Sequence, residues 1–78
     1  MPSTVIRRFA YRPREQALDV EFVTGRVYRY CGVPEDVAAA MKGAFSKGVY
    51  FNRAIRDRYE HERLRGWPPD EAPEVQVR

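Results

Sequence analysis

Apolar and polar residues alternate first in short runs of period two and later at a spacing of three to four. That change of period places strands before helices. The first run, Val5 to Tyr11, is rich in β-branched and aromatic residues and ends at Arg12-Pro13, where proline suits a turn and cannot donate to a ladder. Its apolar members Ile6, Phe9 and Tyr11 break strict alternation, as one extra residue bulging near Arg7-Arg8 would cause. From Ala17 to Phe22 the alternation is clean, with Leu18, Val20 and Phe22 on one face and Asp19 and Glu21 on the other. This predicts a second strand solvated on one side. A third strand is expected over Val27 to Cys31.

The turn between the second and third strands fixes which way the tyrosines point, because a one-residue slip exchanges the faces. A two-residue Thr24-Gly25 loop lacks the Asn-Gly, Asp-Gly or leading glycine such turns favour. A three-residue loop, Val23-Thr24-Gly25, places glycine at the left-handed position that a bulged turn requires. That register sets Arg29 opposite Asp19 as a cross-strand ion pair and puts Tyr28 and Tyr30 on the side of Val20 and Leu18.

Pro34, favoured at the first helical position, begins the next element, with Glu35 and Asp36 in a first turn that stabilises carboxylates. The core stripe of this helix is expected to be Val37, Met41, Ala44 and Phe45. Ser46-Lys47-Gly48 reads as a break in which Ser46 caps a second helix, from about Val49 to Leu64, with Phe51, Ile55 and Tyr59 buried. The expected fold class is therefore α+β: a three-stranded antiparallel β-meander followed by two α-helices packed on one face, in the order β-β-β-α-α. Residues 3–62 form the domain. Residues 63–78, with Gly66-Trp67-Pro68-Pro69 and further acidic and proline residues, read as a Pro-rich acidic tail.

Composition sharpens this picture in three places. With 78 residues, 44% of them apolar, there is material for one domain with a modest core. The single cysteine, Cys31, excludes an intrachain disulfide, and no apolar stretch is long enough for a signal-peptide core or a membrane span, so a cytoplasmic protein without membrane contact is expected. Charge divides along the chain: residues 1–59 hold 11 Lys/Arg against 6 Asp/Glu, net +5, and residues 60–78 hold 3 against 5, net −2. A basic body is suited to a polyanion.

Several of these features occur together, in order, in one known family. Ile6, Phe9 and Tyr11, then Leu18-x-Val20-x-Phe22 with Gly25, the Tyr28-x-Tyr30 core of the third strand, Gly32-Val33-Pro34, and Ser46-x-Gly48-x-x-Phe51-Asn52 followed by Ile55-Arg56 resemble the KTSC domain over about residues 3–59. That family is named for its occurrence at the C-terminus of some lysyl-tRNA synthetases and is also found as stand-alone bacterial proteins. The resemblance implies a link to RNA handling through the enzyme to which the domain is attached.

Chemistry is sparse. There is one histidine and no His-x-x-Glu, Cys-x-x-Cys or glycine-rich phosphate loop, so no metal, cofactor or catalytic group is expected. His61 reads as a solvated helix residue, Cys31 as a small apolar side chain buried at a strand end. Asp19 and Glu21 read as partners for Arg29.

For binding, the candidates are anionic or aromatic. Ser46, Lys47 and Gly48 offer a hydroxyl, an ammonium and free backbone N–H groups at a helix start, an arrangement that holds phosphate and that also serves as a plain cap. Arg53 and Arg56 on the second helix, with Arg7, Arg8 and Arg29 near the sheet, extend a basic surface. Tyr28 and Tyr30 are candidates for stacking bases, although the preferred register makes them core. Two partner classes follow: a tRNA-like or other RNA bound mainly through phosphates, or a protein partner or second copy of the chain docked through Trp67 and the tail.

Overall fold

The structure is a computed structural model describing residues 5–69. Strands β1 (Ile6–Arg12), β2 (Ala17–Phe22) and β3 (Val27–Cys31) form an antiparallel meander, followed by helices α1 (Glu35–Gly43) and α2 (Lys47–Ala54) and a short strand β4 (His61–Leu64). The sheet order is β1-β2-β3-β4. The expected three strands and two helices are thus present, with a fourth strand added at the β3 edge.

Local chemistry explains the meander. Gly25 has φ of 96°, and the Gly25 N–H donates to the Phe22 carbonyl at 2.8 Å, closing the three-residue turn that alternation demanded. The register that results pairs Leu18 with Tyr30, Asp19 with Arg29 and Val20 with Tyr28. In β1 the pairing slips between Ile6 and Arg8, so the bulge lies where the broken alternation located it.

Both helices begin within two residues of where the sequence places them. Pro34 occupies the cap position rather than the first helical one, in extended backbone, with Glu35 and Asp36 in the first turn. At α2 the Ser46 hydroxyl accepts from the Val49 N–H at 3.3 Å. The core between sheet and helices contains Leu18, Val20, Tyr30, Val33, Met41, Phe51 and Ile55, all buried.

Two expectations fail here for the same reason, that tertiary position overrides local pattern. Phe45, expected in the α1 stripe, is 93% exposed, because α1 ends at Gly43 and the chain is extended at Ala44. Ala38 takes the buried place beside Met41 instead. The second helix, expected to reach Leu64, stops at Ala54. The chain then turns through Ile55–Arg58, and residues 61–64 pair antiparallel with β3, Tyr28 opposite Arg63 and Tyr30 opposite His61. Without this pairing β3 would present a row of unsatisfied backbone groups at a sheet edge.

Candidate nucleic-acid interface

The residues singled out for binding phosphate do not converge. At the start of α2 the Ser46 hydroxyl is engaged as a cap, the Lys47 ammonium donates to the Ala44 carbonyl at 2.8 Å, and Gly48 is buried. Arg29 lies on the sheet face away from the helices, donating through Nε to Asp19 Oδ1 at 2.7 Å. That hydrogen bond, ahead of the opposing effect of burial, raises the Arg29 pKa from its ordinary value, so its charge is fixed and committed to Asp19. Arg53 is exposed on α2. Of this set, Arg56 lines a cleft.

Arg56 shares that cleft with both tyrosines. It is an open depression of about 570 Å³ between the C-terminal part of α2 and the end of the sheet formed by the β2–β3 turn and β4. Tyr28 and Tyr30 are on the helix-covered face, as the turn register predicted. Tyr30 is 4% exposed and packs edge-on against Phe51 with ring centres 5.2 Å apart, whereas Tyr28 is half-buried and meets Phe22 at 5.9 Å. His61, supplied by β4, stands against both: its ring centre is 5.4 Å from that of Tyr28 and 5.1 Å from that of Tyr30. Arg26 and Asn52 complete the polar margin, with Asp57 as the one carboxylate among the described residues.

Burial raises the Tyr30 pKa above its ordinary value, an effect that nearby Arg56 opposes and Tyr28 and Asp57 reinforce. Tyr11 shifts the same way through desolvation, then Glu35 and Asp36, and its hydroxyl donates to the Val33 carbonyl at 2.6 Å. A phenol is neutral when protonated, so a folded-state pKa above the unfolded one contributes stability in full below pH about 10 and loses it as pH rises through the folded value. Urea midpoints should therefore fall between about pH 9 and pH 11. The fall should be smaller in Tyr30→Phe, which removes one of the two ionisations, and equal slopes in the two proteins would refute this assignment.

The opposite face of the sheet is not the solvated surface that alternation suggested. Asp19 is fully buried there, between Arg29 and Arg12, whose Nε donates to Asp19 Oδ2 at 3.0 Å. Arg8 pairs with Glu21. The Arg8 guanidinium also sits 5.1 Å from the ring centre of Trp67, and Trp67, Pro68 and Pro69 border a shallow depression with Ala10, Arg12 and Asp19. Trp67 thus docks on its own domain. The remainder of the tail, from residue 70 onward, lies outside the described residues.

Arg26, Asn52 and His61 were not singled out as binding residues by sequence. No local signal marked His61, because His61, Glu62 and Arg63 are all polar and show no apolar alternation at strand period. Among the described residues no cluster of His, Cys, Asp or Glu is arranged to hold a metal ion, and no helix is long and apolar enough to cross a membrane.

Comparison with known proteins gives consistent results. A family model described as the KTSC domain matches residues 2–59. A lysine–tRNA ligase of Nostoc punctiforme is 39% identical over 61 residues, which are 78% of this chain and 11% of the ligase. An uncharacterized protein of Stutzerimonas stutzeri is 37% identical over 59 residues, 76% of this chain and 83% of that protein. The crystal structure of a KTSC domain protein from Yersinia pestis superposes with a TM-score of 0.74 at 27% identity, covering 82% of this chain and 93% of that one. The chain spans about a tenth of the ligases it matches and most of the stand-alone relative.

Proposed function

The chain belongs to the KTSC domain family, and from that premise we propose that it is a non-enzymatic, cytoplasmic RNA-binding module whose affinity comes mainly from phosphate contacts at the α2 cleft. The observation that carries this reading is the division of the arginines between the two faces of the sheet. Arg8, Arg12 and Arg29 are spent on Glu21 and Asp19. Arg26 and Arg56 border the aromatic cleft, and neither forms an ion pair with a carboxylate among the described residues. Cations beside exposed rings are the combination that single-stranded RNA engages. The ligase relatives, which by name act on tRNA, supply the substrate class.

The alternative, a protein-interaction module anchored by Trp67, is weaker, because that indole is already held over Arg8. Of the cations that the sequence offers for phosphate, Arg56 keeps that role and is joined by Arg26, whereas Lys47 and Arg29 have intramolecular partners.

A mobility-shift titration with total tRNA across a salt series tests the proposal. Wild type should bind with a steep salt dependence. Replacing Arg26 and Arg56 together by Ala should make the slope of log K against log salt shallower by roughly 0.7 per lost contact on a single strand. Asp57→Asn, which removes the opposing charge, should tighten binding at low salt. Absence of tRNA binding, or a double variant with an unchanged slope, would sink the reading.

A further inference from the structure

We propose that the α2 cleft is a pocket for one nucleotide unit, presented unpaired by an RNA strand, rather than a stretch of an extended RNA track. This rests on the RNA-binding reading and adds the ligand that the site accommodates. Three features of the cleft limit it to a single unit.

The first is the extent of the aromatic surface. It consists of Phe22, Tyr28, Tyr30 and His61 gathered in one compact cluster, Phe22 against Tyr28 and His61 against both tyrosines, with Tyr30 nearly inaccessible and Phe22 and Tyr28 half-buried. That is a platform for one base. A track for several bases needs aromatic residues spaced along a groove.

The second is the placement of polar groups around it. Arg26 follows the β2–β3 turn and Arg56 follows α2, so cations stand on two different elements that border the rings. Asn52 lies four residues before Arg56, and its side-chain oxygen accepts from the Arg56 guanidinium at 3.4 Å, leaving the amide N–H groups to donate to a base edge. Among the described residues Asp57 is the only carboxylate lining the cleft, and it confines anion binding to the arginine side.

The third is size and exposed apolar surface. About 570 Å³ falls within the range of small-ligand pockets, roughly 300–1,000 Å³. Val23 and Val5 are 49% and 38% exposed, and both line the cleft. A ligand seated in the cleft would cover both, adding apolar contact to the polar ones.

The test uses the full chain with 5′-AMP, 5′-UMP, adenosine and inorganic phosphate as separate probes, followed by amide and aromatic NMR shifts. Both monophosphates should perturb Tyr28, Asn52, Arg56 and His61, and phosphate alone should bind at least tenfold more weakly. Tyr28→Leu, which retains apolar volume while removing the stacking ring, should weaken monophosphate binding about tenfold, in line with one lost stack. His61→Ala on the exposed edge strand provides a second variant should Tyr28→Leu unfold, and is expected to weaken binding severalfold.

Monophosphate shifts confined to Ser46–Val49, or affinities unchanged in both variants, would overturn the pocket. If tRNA is retarded and no monophosphate binds, the single-nucleotide pocket fails and the RNA reading survives. If monophosphates bind at the cleft and tRNA does not, the pocket stands and the RNA reading fails.

Discussion

Phe51→Ala should cost about 3–5 kcal/mol of stability, while Phe45→Ala, six residues earlier, should stay within about 0.5 kcal/mol of wild type. Phe51 lies within α2, whereas Phe45 lies in the link between the helices. Phe51 is 2% exposed and lies between Phe22 and Tyr30, with ring centres at 5.4 and 5.2 Å. Phe45 is 93% exposed. Truncating Phe51 removes both edge-on ring contacts and leaves a cavity at the junction of α2 with β2 and β3, and the loss is a large fraction of the roughly 4–12 kcal/mol that a domain of this length retains.

Thermal melting should register this as a fall of about 15 °C or more. The effect bears on function as well, because Phe51 supports Tyr30 and Phe22 beneath the cleft. Nucleotide and RNA binding should disappear with the fold in Phe51→Ala and persist in Phe45→Ala. Equal stability losses in the two variants would contradict the packing described.

Asp19→Ala is expected to be the other severe substitution, at about 2–4 kcal/mol. Its carboxylate is entirely buried and accepts from Arg12 and from two nitrogens of Arg29, at 3.0, 2.7 and 3.2 Å. Removing it takes away the buried acceptor that the two guanidinium groups share. Their side chains are 27% and 19% exposed, so partial rehydration keeps the loss at or below the usual range for a broken buried pair.

Urea denaturation at low and high salt discriminates this site from its neighbour. The Asp19 loss should persist in high salt, since a buried pair is poorly screened, whereas Glu21→Gln, which releases the half-exposed Arg8, should cost under about 1 kcal/mol and less as salt rises. A salt-sensitive or negligible loss at Asp19 would mean that the covered face is held by the Trp67 segment alone.

Much of the sheet was legible because its determinants are local. The extra residue at Arg7-Arg8 disturbs a period-two pattern, and Val23-Thr24-Gly25 is a turn that only one register satisfies, so the facing of Tyr28 and Tyr30 and the Asp19–Arg29 pair followed from residues within about ten positions of one another. Capping by Ser46 was legible for the same reason. The end of α2 was not, since Ile55 to Leu64 contains neither glycine nor proline to stop a helix.

What the sequence by itself determined, then, is the meander, its register, the two helix starts and the family to which the chain belongs, all set by turn chemistry and short-range periodicity. Tertiary structure alone decided that residues 61–64 become a strand, because the open β3 edge offers backbone partners that an isolated helix cannot match. It decided also that Trp67 covers the charged face, and that Arg26, Asn52, Arg56 and His61 meet around Tyr28. Those residues come from four separate segments, and only the folding of α2 and β4 onto the same end of the sheet makes them one site.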